Sequence, residues 1–383
     1  MDAIQKIPIK AGPIVEDNDF YGREKELNHA WKYYISSGVS MLLSAPRRVG
    51  KSSFSKRLLK VAEGNGWKTL YLDLQGEGTE QAFVKLFKEK LQEEKWWDKI
   101  GNFFLKIFDS IKSEKGSISS EVWRNNTYGK ILQLLENTDN TLIVIDELGV
   151  FLNHLLKQEN GEERVESFLE WLRKFRQMTK VRWIFCSSIG IENFASKHKL
   201  TVHLNDLQSV PIGEFTENEA KDFISRLDVD EKVQFTEDDI QYILDKLGWY
   251  LPFFIHLLVG KINFLICVED YQLSNATIDE AYNLLLTQNQ KDFNPWSERL
   301  KEYEFENSAR EILKLCAELP TGRSKNDLLM NLTAGKSNVE KIEDDLAQSL
   351  SMLQNDGYLI ENDGKYIFRS PLLRDFWHNR FIK

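Results

Sequence analysis

Cysteine is scarce in this chain. The three present in 383 residues, Cys186, Cys267 and Cys316, lie far apart without CxxC spacing. That excludes a sequence-evident zinc site, argues against a disulfide framework, and makes a reducing cytoplasm the expected compartment. Positive charge is also short: 50 lysines and arginines face 59 acids, a formal net charge of -9. Overall attraction to nucleic acid or an anionic membrane is therefore opposed, and any such contact has to come from a local patch. Long apolar runs are missing. The first 19 residues hold no signal-peptide core and carry acids as well as lysines, so export is not expected. The most hydrophobic stretch, 252–268, is interrupted by His256, Lys261 and Asn263 and falls short of the roughly 20 residues a span needs. It reads as a buried helix opened by Pro252, with no membrane contact. The six histidines show no HExxH spacing and no nucleophile partner, and there is neither an internal repeat nor a low-complexity tract.

What is present is an ordinary globular composition, 42% hydrophobic and 28% charged, long enough for two or three domains. From 39 to 211, short β-rich apolar runs alternate with helical stretches, the pattern of a parallel sheet covered by helices. Strands are expected at 39–45, 68–74, 141–146 and 181–188, with a fifth at 200–204 or in the following LQSVPI. Between the second and third strands, Trp97, Ile100, Phe104, Ile107, Phe108 and Ile111 recur at helical spacing and read as packing against their own domain. Trp171, Phe175 and Trp183 read as core. Beyond Pro211 helices take over, with Thr216 and Thr236 placed to cap two of them. A charged, aromatic linker is expected at 291–306. Three helices and a hairpin around Asn362-Asp363-Gly364 then read as a winged helix-turn-helix. The expected domains are 1–213, 214–290 and 291–383.

The sharpest motif is Ala45-Pro46-Arg47-Arg48-Val49-Gly50-Lys51-Ser52, set between an apolar strand and a helix. It fits the phosphate-binding pattern GxxxxGK[ST] except that alanine stands at the first glycine. Gly50 lets the backbone curl so that amides point at phosphate oxygens, the helix start adds its dipole, Lys51 can bridge β- and γ-phosphates, and the Ser52 hydroxyl can ligate Mg²⁺. Ser53 continues the same helix start. Arg47 and Arg48 face either phosphate or a neighbouring subunit, at least one of them functionally. The strand 141–146 ends in Asp146 and Glu147, the first suited to hold the metal through water and the second to polarise an attacking water. The two motifs are expected on neighbouring strands. Ser187 and Ser188 end the next strand; Ser188 can orient water near a γ-phosphate, and two serines closing a strand are an equally good account.

With these residues in place the chain resembles the AAA+ superfamily of P-loop ATPases, in particular the signal-transducing STAND branch and the archaeal-type ATPases, from about 20 to 381. Phe20-Tyr21-Gly22-Arg23-Glu24-Lys25-Glu26 is similar to the hydrophobic-Gly-Arg-Glu motif that lines the adenine pocket, and Pro46-Arg47-Arg48-Val49-Gly50-Lys51-Ser52 to the family's Pro-Arg-Arg-x-Gly-Lys variant. Gly248 to Pro252 resembles the Gly-x-Pro signature of the helical lid, with two extra residues between glycine and proline. The resemblance implies an α/β P-loop sheet, an all-α lid closing over ATP or ADP, a C-terminal winged helix-turn-helix, and a switch between nucleotide states. No arginine follows Pro252 in its helix and no Thr-Thr-Arg follows the fourth strand, so slow turnover is expected.

Three functions remain at this point: an ATP-dependent molecular switch that acts on a protein partner or on itself; a DNA-handling ATPase of the replication-initiator or transposition type; and an interaction protein that keeps nucleotide for structure, against which Glu147 speaks. From residue 306 onward eleven basic side chains meet twelve acids. The expected recognition helix carries Glu340, Glu343, Asp344 and Asp345 against Lys341 alone, which disfavours DNA.

Overall fold

The structure, a computed structural model, describes residues 6–15, 19–93, 120–187, 190–302 and 305–382. It divides into two compact units. One comprises Gly22–Ala45 and Lys51–Ile212; the other comprises the stretch up to Tyr21, the five residues Pro46–Gly50, and everything from Gly213.

The first unit is built on five parallel strands, β1 (Met41–Ser44), β2 (Lys68–Asp73), β3 (Thr141–Asp146), β4 (Arg182–Ser187) and β5 (Gln208–Ser209), in the order β2-β3-β4-β1-β5. Helices α1 (Glu24–His29), α2 (Lys51–Gly64), α3 (Glu80–Glu93), α4 (Ser120–Glu136), α5 (Leu148–Leu156), α6 (Gly161–Met178) and α7 (Ile191–Lys197) accompany them. Every residue of β3 is buried, as a strand covered on both faces requires. Leu70, Leu72, Ile143, Ile145, Trp183 and Phe185 pack with Phe83 and Phe87 of α3, Phe151 of α5, and Phe168 and Trp171 of α6. Trp183 and Phe185, two apart and so on one face, stack at 6.0 Å, and Phe175 stacks on Trp183 at 6.0 Å. The three aromatics read as core are core.

One expectation needs correction here, and one of two open alternatives is selected. β4 lies between β1 and β3, with Ser44 in register with Ser187 and Ile145 with Phe185, so the phosphate and acidic strands are not neighbours. Alternating β and α segments fix the direction and handedness of crossovers, yet leave open which later strand fills a gap between earlier ones. Residues 201–203 form a 3₁₀ turn; LQSVPI supplies the fifth strand. The segment bearing Trp97, Ile100, Phe104, Ile107, Phe108 and Ile111 lies outside the described residues.

In the second unit, α8 (Glu217–Arg226) and α9 (Glu237–Leu247) both start in capping boxes, Thr216 with Glu219 and Thr236 with Asp239, each satisfying two otherwise orphaned amides. α10 (Pro252–Val268) opens on its proline and buries Phe253 through Val259. Among the described residues no helix is long and apolar enough to cross a membrane. α11 (Asn275–Gln288) follows, and the expected linker is largely a helix, α12 (Gln290–Arg299). Its charged residues hide an apolar face: Phe293, Trp296 and Leu300 are buried. Then come α13 (Glu306–Glu318), the short strand β6 (Arg323–Ser324), α14 (Lys325–Thr333), α15 (Val339–Asn355), the hairpin β7 (Leu359–Asn362) with β8 (Lys365–Phe368), and α16 (Pro371–Phe381). Asp363 and Gly364 turn the hairpin at φ 49° and 72°, the positive pair a two-residue connection demands. Three helices and a hairpin thus appear in the expected order; β6, which pairs with β8, and α16 were not foreseen. An aromatic ladder runs through the unit, Trp249 to Trp296 at 6.0 Å, Trp296 to Tyr358 at 5.2 Å, and Tyr358 to Trp377 at 6.0 Å.

Candidate functional site

In the first unit, α2 starts straight out of the loop that leaves β1, so its first amides have no intrahelical acceptors and face whatever the loop holds. Lys51, only 6% exposed, folds back and donates from Nζ to the carbonyl of Ala45 at 2.8 Å. Ser52 accepts from the Ser55 hydroxyl through its carbonyl, leaving its own side chain out of that bond, and Ser53 is buried beside it.

The acidic half stands at the carboxyl end of β3. Asp146 is 3% exposed; its Oδ1 accepts the Glu147 amide at 2.9 Å and its Oδ2 accepts the Tyr71 hydroxyl at 2.5 Å. Both donors are neutral, and among the described residues no ion pair reaches this carboxylate. Glu147 holds φ 56°, ψ 34° at the start of α5, a left-handed conformation that costs a non-glycine residue ~1 kcal/mol or more and recurs where function fixes the backbone. Beneath them lies Cys186 of β4, fully buried. Burial pushes its thiol well above the ordinary range, Asp146 and Glu147 add to this, and Ser55 and Lys51 oppose it. The register of β1 with β4 and of β4 with β3 sets their carboxyl ends side by side, and Lys51 reaches back to Ala45 just past β1, so Lys51, Asp146 and Glu147 stand at one edge of the sheet. The thiol stays protonated and is no nucleophile.

Ser188 lies outside the described residues. Ser187 is buried in the strand, with its carbonyl accepting the Ala45 amide at 3.4 Å. Gly22 and Arg23 both take positive φ, 70° and 65°, and Arg23 is 6% exposed at the head of α1. A solvated helix start, the plainer account of that arginine, does not describe it.

The remaining residues singled out from the sequence fall in the second unit. The Tyr21 ring lies 5.6 Å from Phe215 and 5.1 Å from Phe223, its hydroxyl bonds Asp222, and burial followed by that carboxylate pushes its pKa up. Pro252 is the first residue of α10, and Gly248 caps α9 at φ 61°, where an added Cβ would come within 2.6 Å of Pro371. The loop residues Pro46 to Gly50 also belong here. Gly50 has φ 95°, and a Cβ placed on it would meet nothing within 4 Å, so glycine is needed for the turn and open space lies before it. Val49 is buried. The Arg48 guanidinium sits 4.3 Å over the Phe253 ring and donates to the Gly12 carbonyl at 3.4 Å; its backbone is loop, but its charge lies on the aromatic face. Arg47 has a buried Nε with no hydrogen-bond partner. Pro46 closes on Gly357, whose added Cβ would lie 2.8 Å from the proline ring.

The buried Asp146 carboxylate, with neutral donors only among the described residues, suits a hard cation; separately, in the other unit, the open space at Gly50 and an Arg47 Nε with no hydrogen-bond partner among the described residues suit an anion. No cluster of three or more metal-ligating side chains exists among the described residues. Mg²⁺ requires no such cluster, since one carboxylate, a hydroxyl and the substrate's own phosphates can share it. Sequence reasoning missed Tyr71. The available signal was a hydroxyl-tipped aromatic near the end of the strand beside the acidic one.

Comparison with known proteins agrees with the fold. The family described as AAA domain matches residues 6–186. The chain is similar in structure to the Walker-type ATPase of Pyrococcus abyssi, with a TM-score of 0.61 and 15% identity over 97% of this chain and 99% of that one. It is also similar to the ORC2 protein of Aeropyrum pernix, solved as ADPNP and ADP complexes, with a TM-score of 0.58 and 12% identity over 94% of each chain. At these identities the likeness speaks for the fold alone. No curated protein matches the sequence.

Proposed function

The first half of the chain is an AAA+ P-loop domain, and we propose that the protein binds ATP and ADP with Mg²⁺, hydrolyses ATP slowly, and works as a molecular switch of the STAND type. The observation that carries the reading is the strand register that sets the carboxyl ends of β1, β4 and β3 side by side, which supports a cation, a metal-binding acid and a base at one edge of the sheet. Lys51 would leave the Ala45 carbonyl for the β- and γ-phosphates. Asp146 and the Ser52 hydroxyl would hold Mg²⁺, which supplies charge neutralisation on the phosphates. Glu147, fixed by its strained backbone, would orient the attacking water and accept its proton. Tyr21, Gly22 and Arg23 would serve the base, and Pro46 to Ser53 the phosphates.

The switch reading has its own support. Pro46 to Gly50 pack among residues of the lid and the C-terminal helices, with Arg48 on Phe253 and Pro46 against Gly357 and Trp249. A loop rearranged by phosphate strains those contacts. The partner is then a protein or a second copy, contacted through the C-terminal winged helix. DNA is disfavoured because Glu340, Glu343 and Asp344 at the head of α15 are exposed. Glu147→Gln tests the catalytic part: nucleotide binding should persist while turnover falls ~10²- to 10⁴-fold. Equal rates in the two proteins would refute the role, and salt-sensitive sub-micromolar binding to duplex DNA would move the reading to the DNA-handling class.

A further inference from the structure

Tyr71 has no place in the phosphate or acidic motifs, yet among the described residues it makes the one side-chain hydrogen bond to Asp146. In β2 it pairs with Val144, two positions before Asp73 pairs with Asp146. Side chains two apart share a sheet face, so Tyr71 and Asp146 are diagonal neighbours, a separation that a tyrosine spans and a serine or threonine does not. The phenol reaches Oδ2 at 2.5 Å while the Glu147 amide holds Oδ1 at 2.9 Å. Two donors on two oxygens fix the plane of the carboxylate and leave each oxygen a free lone pair. The ring is steadied in turn: Lys56 of α2, the helix that starts with Lys51, places Nζ 5.0 Å over it. A buried carboxylate with two neutral donors and no ion pair is an acceptor awaiting a cation.

We propose that Tyr71 is a positioning residue for Asp146, holding its carboxylate in one orientation so that nucleotide-borne Mg²⁺ meets a preset acceptor. The proposal rests on the nucleotide reading above. Hydrogen-bond partners behind a metal ligand commonly change metal affinity or activity 10- to 100-fold when removed, and Tyr71→Phe removes the donor while keeping the ring. The test is a Mg²⁺ titration of the full chain with a fluorescent ATP analogue, which reads affinity rather than activity. Without metal, Tyr71→Phe should bind the analogue within about twofold of wild type; the Mg²⁺ concentration that half-saturates the metal-dependent gain should rise ~10-fold or more. In an Asp146→Ala background the same substitution should leave the Mg²⁺ curve unmoved, since the group it positions is gone. A wild type that binds the analogue while Tyr71→Phe follows the same Mg²⁺ curve overturns the positioning role and spares the nucleotide reading. A shift that persists in Asp146→Ala also overturns it, by showing that the phenol acts elsewhere. A wild type that binds no nucleotide overturns both.

Discussion

Two buried carboxylates, one in each unit, are held by opposite means. In the first unit, Asp146 has neutral donors only among the described residues, and Glu147 beside it is held in a costly backbone conformation. In the second, charge is cancelled. Arg299 donates to both oxygens of Asp356 at 2.7 and 3.1 Å, with side chains 3% and 5% exposed. Unsatisfied electrostatics mark a place where something binds; satisfied electrostatics mark a place that must stay put.

The largest effect expected from breaking this contrast is at the buried pair. Asp356→Ala takes the buried carboxylate away from the Arg299 guanidinium and should cost ~3–5 kcal/mol, readable as a fall in the denaturation midpoint. Arg299→Met with Asp356→Leu should recover most of it, because neither charge then needs a partner. A single variant as stable as wild type would mean that the guanidinium finds water, and that this unit is looser than its packing implies.

How much of this was legible depended on how local each signal is. Gly50-Lys51-Ser52 and Asp146-Glu147 are contiguous words whose chemistry follows from residue type and from a strand or helix beside them, so they could be named as candidates in advance. Thr216 and Thr236 were legible for the same reason, since a cap and its partner lie three residues apart. Tyr71 with Asp146 is 75 residues apart in sequence, and Arg299 with Asp356 is 57. No spacing rule couples them; only the strand register and the ladder do. Strand order failed for a like reason, because β4 enters between two strands already made. Arg48 was read as a phosphate or subunit contact, and no sequence feature points to Phe253, 205 positions on.

A smaller effect should separate the units by pH. His256 in α10 is 6% exposed, its Nδ1 accepts the Lys10 amide at 3.4 Å, and Phe223 meets its ring edge-on. Burial lowers its pKa to about 4, with Asp19 opposing. The folded value lies below the unfolded one, so as pH falls from about 6.5 to about 4 the unfolded chain takes up the proton first and stability is lost. At ~1.4 kcal/mol per pH unit this amounts to ~3 kcal/mol by pH 4, all of it present at pH 7. His256→Gln should flatten that part of the stability profile. An unchanged profile would assign the acid loss to carboxylates instead.

The smallest and most local effect is at Gly357, which has φ 82° and lies where an added Cβ would come within 2.8 Å of both Pro46 and Trp249. Gly364 in the hairpin turn, at φ 72° with nothing within 4 Å, is its natural control. Alanine at Gly364 should cost only the left-handed conformation, ~1 kcal/mol. Alanine at Gly357 should cost about twice that, since the proline ring must also give way. Because Pro46 begins the phosphate loop, Gly357→Ala should also change nucleotide affinity, while Gly364→Ala should leave it as in wild type. Equal destabilisation and equal affinity in the two variants would show that Pro46 and Trp249 step aside freely. The switch would then have to act through loop residues other than Pro46.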